Sequence, residues 1–249
     1  MSAMKIPLAV LFGALGFSGL SNAQTFHKAT AYYDFHYYAY EEPGVMTVKS
    51  LLPAISVGYR DETAIRGTQE FGELSWAIEG ALGYTEYSGS GTDKHNFYKL
   101  LGEISTPVYQ NFYLGLGYRR LIDDFGPGTT STGLQTYDRI SQYFYVPVGV
   151  VVQGNDGSST KLQYNYLMYG HQIAYLSQVG GYLNDLHNTQ SSGYGLDLAY
   201  TSKGGKWEAY IRYWKIGHSD YVPALTINGP GSAYEPENNT VEIGARVAF

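Results

Sequence analysis

Three groups of residues in this chain carry chemistry by type and spacing. His218-Ser219-Asp220 sets an imidazole, a hydroxyl and a carboxylate in consecutive positions, with Glu235, Glu237 and Glu242 following. An acyl-transfer site needs that set: a hydroxyl nucleophile, a base beside it and an acid to orient the base. Neighbouring residues on an extended backbone project to opposite sides, however, so His218 and Ser219 point apart, and a solvated loop base has the same composition. Asp123-Asp124 with His218 and Asp220 forms a second set, whose plainer reading is soluble loop acids. Asp34 and His36, two residues apart, form the third. On a strand they share one face and could relay a proton or hold a metal; the plainer reading is an internal hydrogen-bond node. The expectation is that none of the three is catalytic and that no metal or cofactor is held. His218, Ser219 and Glu242 are the residues to test against it.

The elements that must position these groups are strands. In Val241-Glu-Ile-Gly-Ala-Arg-Val-Ala-Phe249, Val241, Ile243, Ala245, Val247 and Phe249 point one way, and Glu242, Gly244, Arg246 and Ala248 the other. The same alternation predicts strands near 28–41, 51–61, 72–87, 95–107, 112–122, 136–152, 160–171, 192–202, 206–217 and 239–249. That makes ten, an even number as expected when both ends lie on one side of a membrane; merging the weak stretch at 51–71 would give eight. Val108–Asn111, Gln153–Gly157 and Lys203–Lys206 read as tight turns. Asp123–Leu134, Gln172–Ser191 and His218–Asn238 are long, polar and rich in Gly, Ser, Thr and Asn. Along a meander the long connections fall at one end and the tight turns at the other, apart from the longish link 61–71. Short periplasmic turns opposite long extracellular loops are the asymmetry of a membrane barrel.

The front of the chain and the composition agree. Lys5 precedes an apolar run from Ile6 to Leu20, and Ser21-Asn22-Ala23 supplies small residues, which predicts a signal peptide over 1–23 cleaved before Gln24. A single barrel domain is then expected over 24–249. The apolar run falls short of the roughly 20 residues of a spanning helix, and no other stretch reaches that length, which excludes a helical membrane protein. The 26 Tyr suit strands and membrane interfaces. The absence of Cys removes disulfides and thiolate metal sites. The net charge of −6 becomes −7 once the single positive charge of Lys5 is removed, and with no basic cluster this argues against nucleic acid as a partner.

Both strand faces are legible. One carries Ala31, Tyr33, Phe35, Tyr37; Ile55, Val57, Tyr59; Leu74, Trp76, Ile78, Leu82, Tyr84; Phe112, Leu114, Leu116, Tyr118. It continues through Phe144, Val146, Val148, Val150; Leu162, Tyr164, Tyr166, Met168; Tyr194, Leu196, Leu198, Tyr200; Trp207, Ala209, Ile211 and Tyr213. Trp76, Phe112, Trp207 and Phe249 gather near the tight-turn end and Tyr84, Tyr118 and Tyr213 near the other, as two aromatic girdles around an apolar band. The opposite face carries Asp34, His36, Arg60, Glu73, Glu79, Lys99, Glu103, Arg119, Arg139, Lys161, Asp197, Glu208, Arg212, Glu242 and Arg246, seven acids and seven bases beside one His. Enclosed charges are costly alone, so balance predicts mutual pairing. Ten strands enclose little more than eight, whose interior side chains just fill the tube, so these groups with Tyr32, Tyr38, Tyr113, Tyr143 and Tyr210 predict a salt-bridged plug.

On this evidence residues 24–249 resemble porin-like, OmpA-type bacterial outer-membrane β-barrels, most specifically at 241–249. The resemblance implies a place in the outer membrane among lipid and lipopolysaccharide. It also implies insertion by the barrel-assembly machinery, with Phe249 as part of the signal. It carries no activity, because barrels of this size serve as structural proteins, adhesins, channels and enzymes. His218-Ser219 faintly resembles the outer-membrane lipid A deacylases, which leave one residue between His and Ser where this chain leaves none. The rim acids resemble those of the ten-stranded omptin proteases, with a different order and loop placement. The expected function is a monomeric, non-enzymatic structural or surface-binding barrel whose loops bind an extracellular ligand. Asp123-Asp-Phe-Gly-Pro-Gly128 and Tyr221-Val-Pro-Ala-Leu-Thr-Ile227 are the apolar loop segments for that role, if they do not instead pack on each other. The alternatives are a small selective channel, a lipid A-modifying enzyme and a soluble lipocalin-like barrel with its apolar face inside.

Overall fold

Period-two alternation gives each strand one apolar and one polar face, and the computed structural model shows where they turn. It describes residues 29–59, 74–109 and 111–249. The signal segment 1–23, the link 61–71, Arg60 and Glu73 lie outside the described residues. The strands are β1 (Ala29–Glu42), β2 (Met46–Tyr59), β3 (Ser75–Gly89), β4 (Gly91–Tyr109), β5 (Phe112–Asp124), β6 (Arg139–Gln153), β7 (Ser159–Ala174), β8 (Leu186–Gln190), β9 (Gly193–Thr201), β10 (Trp207–Ile216), β11 (Val222–Thr226), β12 (Gly229–Ala233) and β13 (Asn238–Ala248). The sheet runs β6-β5-β4-β3-β2-β1-β13-β10-β9-β7, and β6 pairs with β7, so it closes. The barrel has ten strands, all antiparallel to their neighbours, and the eight-stranded alternative is excluded because β2 pairs along β1 from Ala29↔Tyr59 to Glu42↔Met46.

β8 is one extra strand. It pairs with β7 at Gly170–Ala174, above the stretch Ser159–Tyr166 that pairs with β9, so it prolongs the wall past the barrel proper. A bulge opposite Phe144/Tyr145 leaves Met168 and Tyr169 both outside and returns Gly170, Gln172 and Ala174 to the interior. The expected loop from Gln172 to Ser191 is therefore partly sheet, and β2 and β4 begin at Met46 and Gly91 rather than at 51 and 95. At a rise of about 3.3 Å per residue and a tilt near 45°, the 19 residues of β4 give about 45 Å of height, against an apolar band of about 25 Å. The upper strand ends stand clear of hydrocarbon. Their outer face carries Glu41, Lys49, Glu86 and Lys94, so apolar alternation is missing there while pairing continues.

The faces are inverted relative to a water-soluble barrel. Tyr33, Phe35, Ile78, Leu82, Leu114, Leu116, Phe144, Val148, Leu162, Leu198, Ile211 and Val247 are exposed on the outer wall. Asp34, Glu79, Lys99, Arg119, Asp197, Arg212 and Glu242 are buried within. This arrangement suits a hydrocarbon surround and excludes the lipocalin-like alternative. On the tight-turn side Tyr33 stacks on Phe249 at 4.1 Å, Tyr200 meets Trp207 at 5.4 Å, Trp76 is half-buried at the start of β3, and Phe112 is exposed at the foot of β5.

Four inward glycines face aromatic residues directly across a seam: Gly117↔Tyr145, Gly149↔Tyr113, Gly195↔Trp214 and Gly244↔Tyr210. Each ring lies over its glycine, so an added Cβ would run into the ring. The β2–β3 seam carries no such pair among its described residues and breaks over a longer stretch than β5–β6, whose pairing lapses only between Leu114↔Val148 and Gly117↔Tyr145. The β2–β3 pairing runs from Thr47↔Ser88 to Lys49↔Glu86, lapses, and resumes at Ala54↔Ala81; Pro53 lies in the lapse.

Candidate functional site

The lumen is built in layers. At its foot, Arg246 pairs with Glu208 at 2.7 Å, and its guanidinium lies 5.0 Å from the Tyr32 ring. Higher up, Gln163 Nε2 donates to Glu103 at 2.9 Å and to Asp197 at 3.3 Å, and its Oε1 accepts from Tyr113 OH and from Lys161. These two acids therefore meet an amide, where pairing with bases was expected.

The middle layer is the most heavily charged. Lys99 Nζ lies 2.7 Å from Glu79 and 2.6 Å from Glu242, with no exposure of its side chain. Arg212 pairs with Glu79 at 2.8 Å and Glu242 at 3.4 Å, and Arg119 with Glu242 at 3.3 Å. Three acids (Asp34, Glu79, Glu242) face three bases here. Asp34, His36 and Glu79 bring one ligand atom each to within 4.8 Å of one another, a spacing that suits a metal. Their lone pairs are engaged: Tyr210 OH donates to both Asp34 oxygens, Arg212 to both Glu79 oxygens, and Lys99 Nζ sits 3.0 Å from His36 Nε2. The Lys99 ammonium stands where a cation would.

Above this belt the interior turns apolar. Tyr38, Tyr40, Val48, Leu52, Ala54, Ala81, Phe97, Leu121, Tyr143, Tyr145, Leu167, Trp214 and Ile216 form one buried cluster. Ala54, Ala81 and Tyr145 carry it down to the belt and beyond, beside Asp34, Lys99 and Glu103. Leu52, Phe97, Leu121 and Leu167 were not anticipated inside. Arg119 reaches up into this cluster, 5.4 Å from the Trp214 ring and 5.9 Å from that of Tyr143.

A second ionic layer closes the mouth. Arg139 holds three carboxylates: Glu42 at 2.5 Å, Asp123 at 3.2 Å and Glu235 at 3.2 Å. His95 Nε2 lies 3.1 Å from Asp123 and 2.8 Å from Thr85 Oγ1, and its ring stacks on Phe125 at 3.6 Å. Asp123, expected as a loop acid, is thus a buried strand residue. Glu42 and His95 were missed as members of this layer. Their signal was parity: Glu42 continues Asp34-His36-Tyr38-Tyr40, and His95 continues Lys99 and Glu103.

The enzyme-like sets are not brought together. Ser219 Oγ accepts from the Glu235 N–H at 2.7 Å and from Asn188 at 3.1 Å, and donates to the Asp220 carbonyl at 2.7 Å. His218 Nδ1 sits 3.0 Å from the Ser219 carbonyl oxygen with its ring edge-on to Tyr234, and Glu242 lies deep in the middle layer. Asp220 accepts the Thr189 N–H at 2.6 Å. Asp123 faces His95 and Arg139, while Asp124 is only partly buried.

The long loops build a platform over the mouth. β11 and β12 form a hairpin whose edge is tied to residues 181–184 by Leu183 N–H to Leu225 O at 2.8 Å and Ile227 N–H to Gly181 O at 3.0 Å. Asn184 adds a bond from the Leu225 N–H at 2.7 Å and one to the Pro223 carbonyl at 3.2 Å. Val222 and Ala224 pack down on Ala174, Leu176 and Leu186. Leu183, Leu225 and Ile227 stay outside, the last 71% exposed. The segment 221–227 therefore both packs inward and presents an apolar crest.

No protein-family model matches the chain. No curated protein sequence matches it either. Among solved structures it is similar to the outer membrane protease OmpT from Escherichia coli, at 10% identity over 92% of this chain and 99% of that one, with a TM-score of 0.49. It is similar to the β domain of the Bordetella autotransporter BrkA, at 12% identity over 89% and 99%, with a TM-score of 0.47. The COG4313 outer membrane channel from Pseudomonas putida F1 follows, at 9% identity over 93% and 100%, with a TM-score of 0.37.

Proposed function

We propose that this chain is a monomeric bacterial outer-membrane barrel with a sealed interior, which acts without catalysis by presenting its loop platform outside the cell. The observation that carries the reading is the apolar layer between two ionic layers. An ion crossing the bore would leave the Lys99–Glu242 belt and enter a region lined by Leu52, Phe97, Leu121 and Leu167. A bare charge there meets a desolvation cost that the fixed and already paired belt charges do not offset. Ser219 supports the absence of acyl transfer, since its hydroxyl is committed to loop geometry. In this reading the outer wall contacts lipid and lipopolysaccharide, and the barrel-assembly machinery reads the final strand with Phe249. The crest of Leu183, Leu225 and Ile227 is the surface offered to an extracellular ligand.

Planar-bilayer recording of the purified full-length mature protein tests the seal. The expected record is silent under applied voltage. Discrete, stable openings would overturn the reading in favour of a small selective channel.

A further inference from the structure

The mouth cluster holds more acid than base, and one of its acids belongs to a loop. We propose that Glu235 is the latch that seats the 217–237 loop on the barrel mouth, and that ionising its carboxyl releases the loop.

At the neck of this loop its two legs meet at Ser219 and Glu235, with Tyr221 against Tyr234 beside them, and the first leg is held to β8 through Asp220 and Thr189. Ser219 N–H donates to the Glu235 carbonyl at 2.9 Å, and the Glu235 N–H returns a bond to Ser219 Oγ at 2.7 Å. Asn188 of β8 ties the same hydroxyl to the wall at 3.1 Å. The Glu235 side chain then drops into the mouth beside Arg139. The groups facing it come from every surrounding element: Tyr40 and Glu42 of β1, Asp123 of β5 with His95 of β4 behind it, Tyr137 and Arg139 at the start of β6, and Gln172 of β7. One guanidinium serves Glu42, Asp123 and Glu235 together. A neutral Glu235 can donate its proton to Glu42 and leave two anions around Arg139. An ionised Glu235 makes a third anion in an enclosed space, against His95 as the one further base in the cluster.

Burial, opposed by Arg139 and reinforced by the neighbouring Glu42, pushes the Glu235 carboxyl up to about 8. The hairpin and its crest continue from this neck and keep further seats of their own, Val222 and Ala224 on Ala174, Leu176 and Leu186 and the bonds to residues 181–184. The latch regulates the platform named above and rests on that reading for its use, though not for its operation.

The chain has no cysteine, so spin labels report without background. Labels at Ile227→Cys on the crest and Val45→Cys on the β1–β2 turn, both exposed, give the loop-to-barrel distance in the detergent-folded full-length protein. At pH 6 the distribution should be narrow. At pH 9 it should broaden and lengthen, with a midpoint near 8. In Glu235→Gln it should stay narrow at both, and in Glu42→Gln, where one fewer anion surrounds Arg139, it should also stay narrow. A wild-type distribution unchanged between pH 6 and 9 would overturn the latch, as would either variant opening like wild type. The readout needs neither ligand nor current, so a failed latch leaves the sealed barrel standing, and a conducting barrel leaves the latch measurable.

Discussion

Lys99 Nζ and Glu242 Oε2 lie 2.6 Å apart in the middle of the bore although 143 residues separate them in the chain. Neither is a cross-strand neighbour of the other; the pair spans the tube from β4 to β13. With Glu79 on the same ammonium, it braces the wall from inside. Replacing Lys99 by Met removes the base that two buried carboxylates share, leaving Glu79 to Arg212 and Glu242 to Arg119 and Arg212, at a cost of up to about 3–5 kcal/mol. A lowered urea midpoint in detergent, with heat-modifiable migration retained at low temperature, is the expected result. Adding Glu79→Gln and Glu242→Gln should recover part of the loss.

The apolar layer gives an independent handle on the seal. Phe97→Ala with Trp214→Ala removes two fully buried rings from the apolar cluster. Leaky current in planar bilayers is expected from this variant where wild type is silent, with a loss of stability of about 3–5 kcal/mol per ring setting the limit on what will still fold.

The glycine–aromatic joints predict an assembly defect. At Gly117 an added Cβ would collide with the Tyr145 ring, and that ring cannot retreat without leaving its bond to Glu103 at 3.3 Å. Gly117→Val should yield less heat-modifiable barrel than Gly80→Val, because an added Cβ at Gly80 meets nothing within 4 Å.

Stability should fall on the alkaline side through Glu235. Its carboxyl is raised from 4.5 to about 8 in the folded chain, so the protonated form is favoured by folding. The contribution is complete below about 4.5 and is lost as pH rises through about 8, an effect on the order of a few kcal/mol. Urea midpoints measured at pH 6 and pH 9 should therefore differ in wild type. In Glu235→Gln the part due to this group should vanish.

Face parity carried most of the fold into view. Once the alternation of 241–249 is extended strand by strand, it separates Leu114 and Leu116 from Arg119, and Ile211 from Arg212, with no tertiary information. It loses its grip where the surroundings change. Above the hydrocarbon band Lys49, Glu86 and Lys94 face water, so both faces of β2, β3 and β4 read as polar and their upper turns look like loop. The bulge at Met168–Tyr169 reverses parity and hides Gln172 and Gly170, since nothing in the local sequence announces it. The apolar layer was missed for another reason. Leu52, Phe97 and Leu121 have the side-chain type expected against lipid, and only their register with Tyr38 and Lys99 shows that they point inward. The mouth cluster joins β1, β4, β5, β6 and a loop, a conjunction that depends on closure of the ring and is invisible in any one segment.

The lapse between Lys49↔Glu86 and Ala54↔Ala81 gives the wall a direction of weakness. The β5–β6, β9–β10 and β10–β13 seams each carry a ring seated on a glycine, whereas β2 and β3 meet there through Leu52 packed on Gly83, with Ser50 Oγ reaching across to the Tyr84 carbonyl. A pull applied across the cylinder would peel β2 from β3 first, and unzipping would run outward from Pro53 while the riveted half holds together.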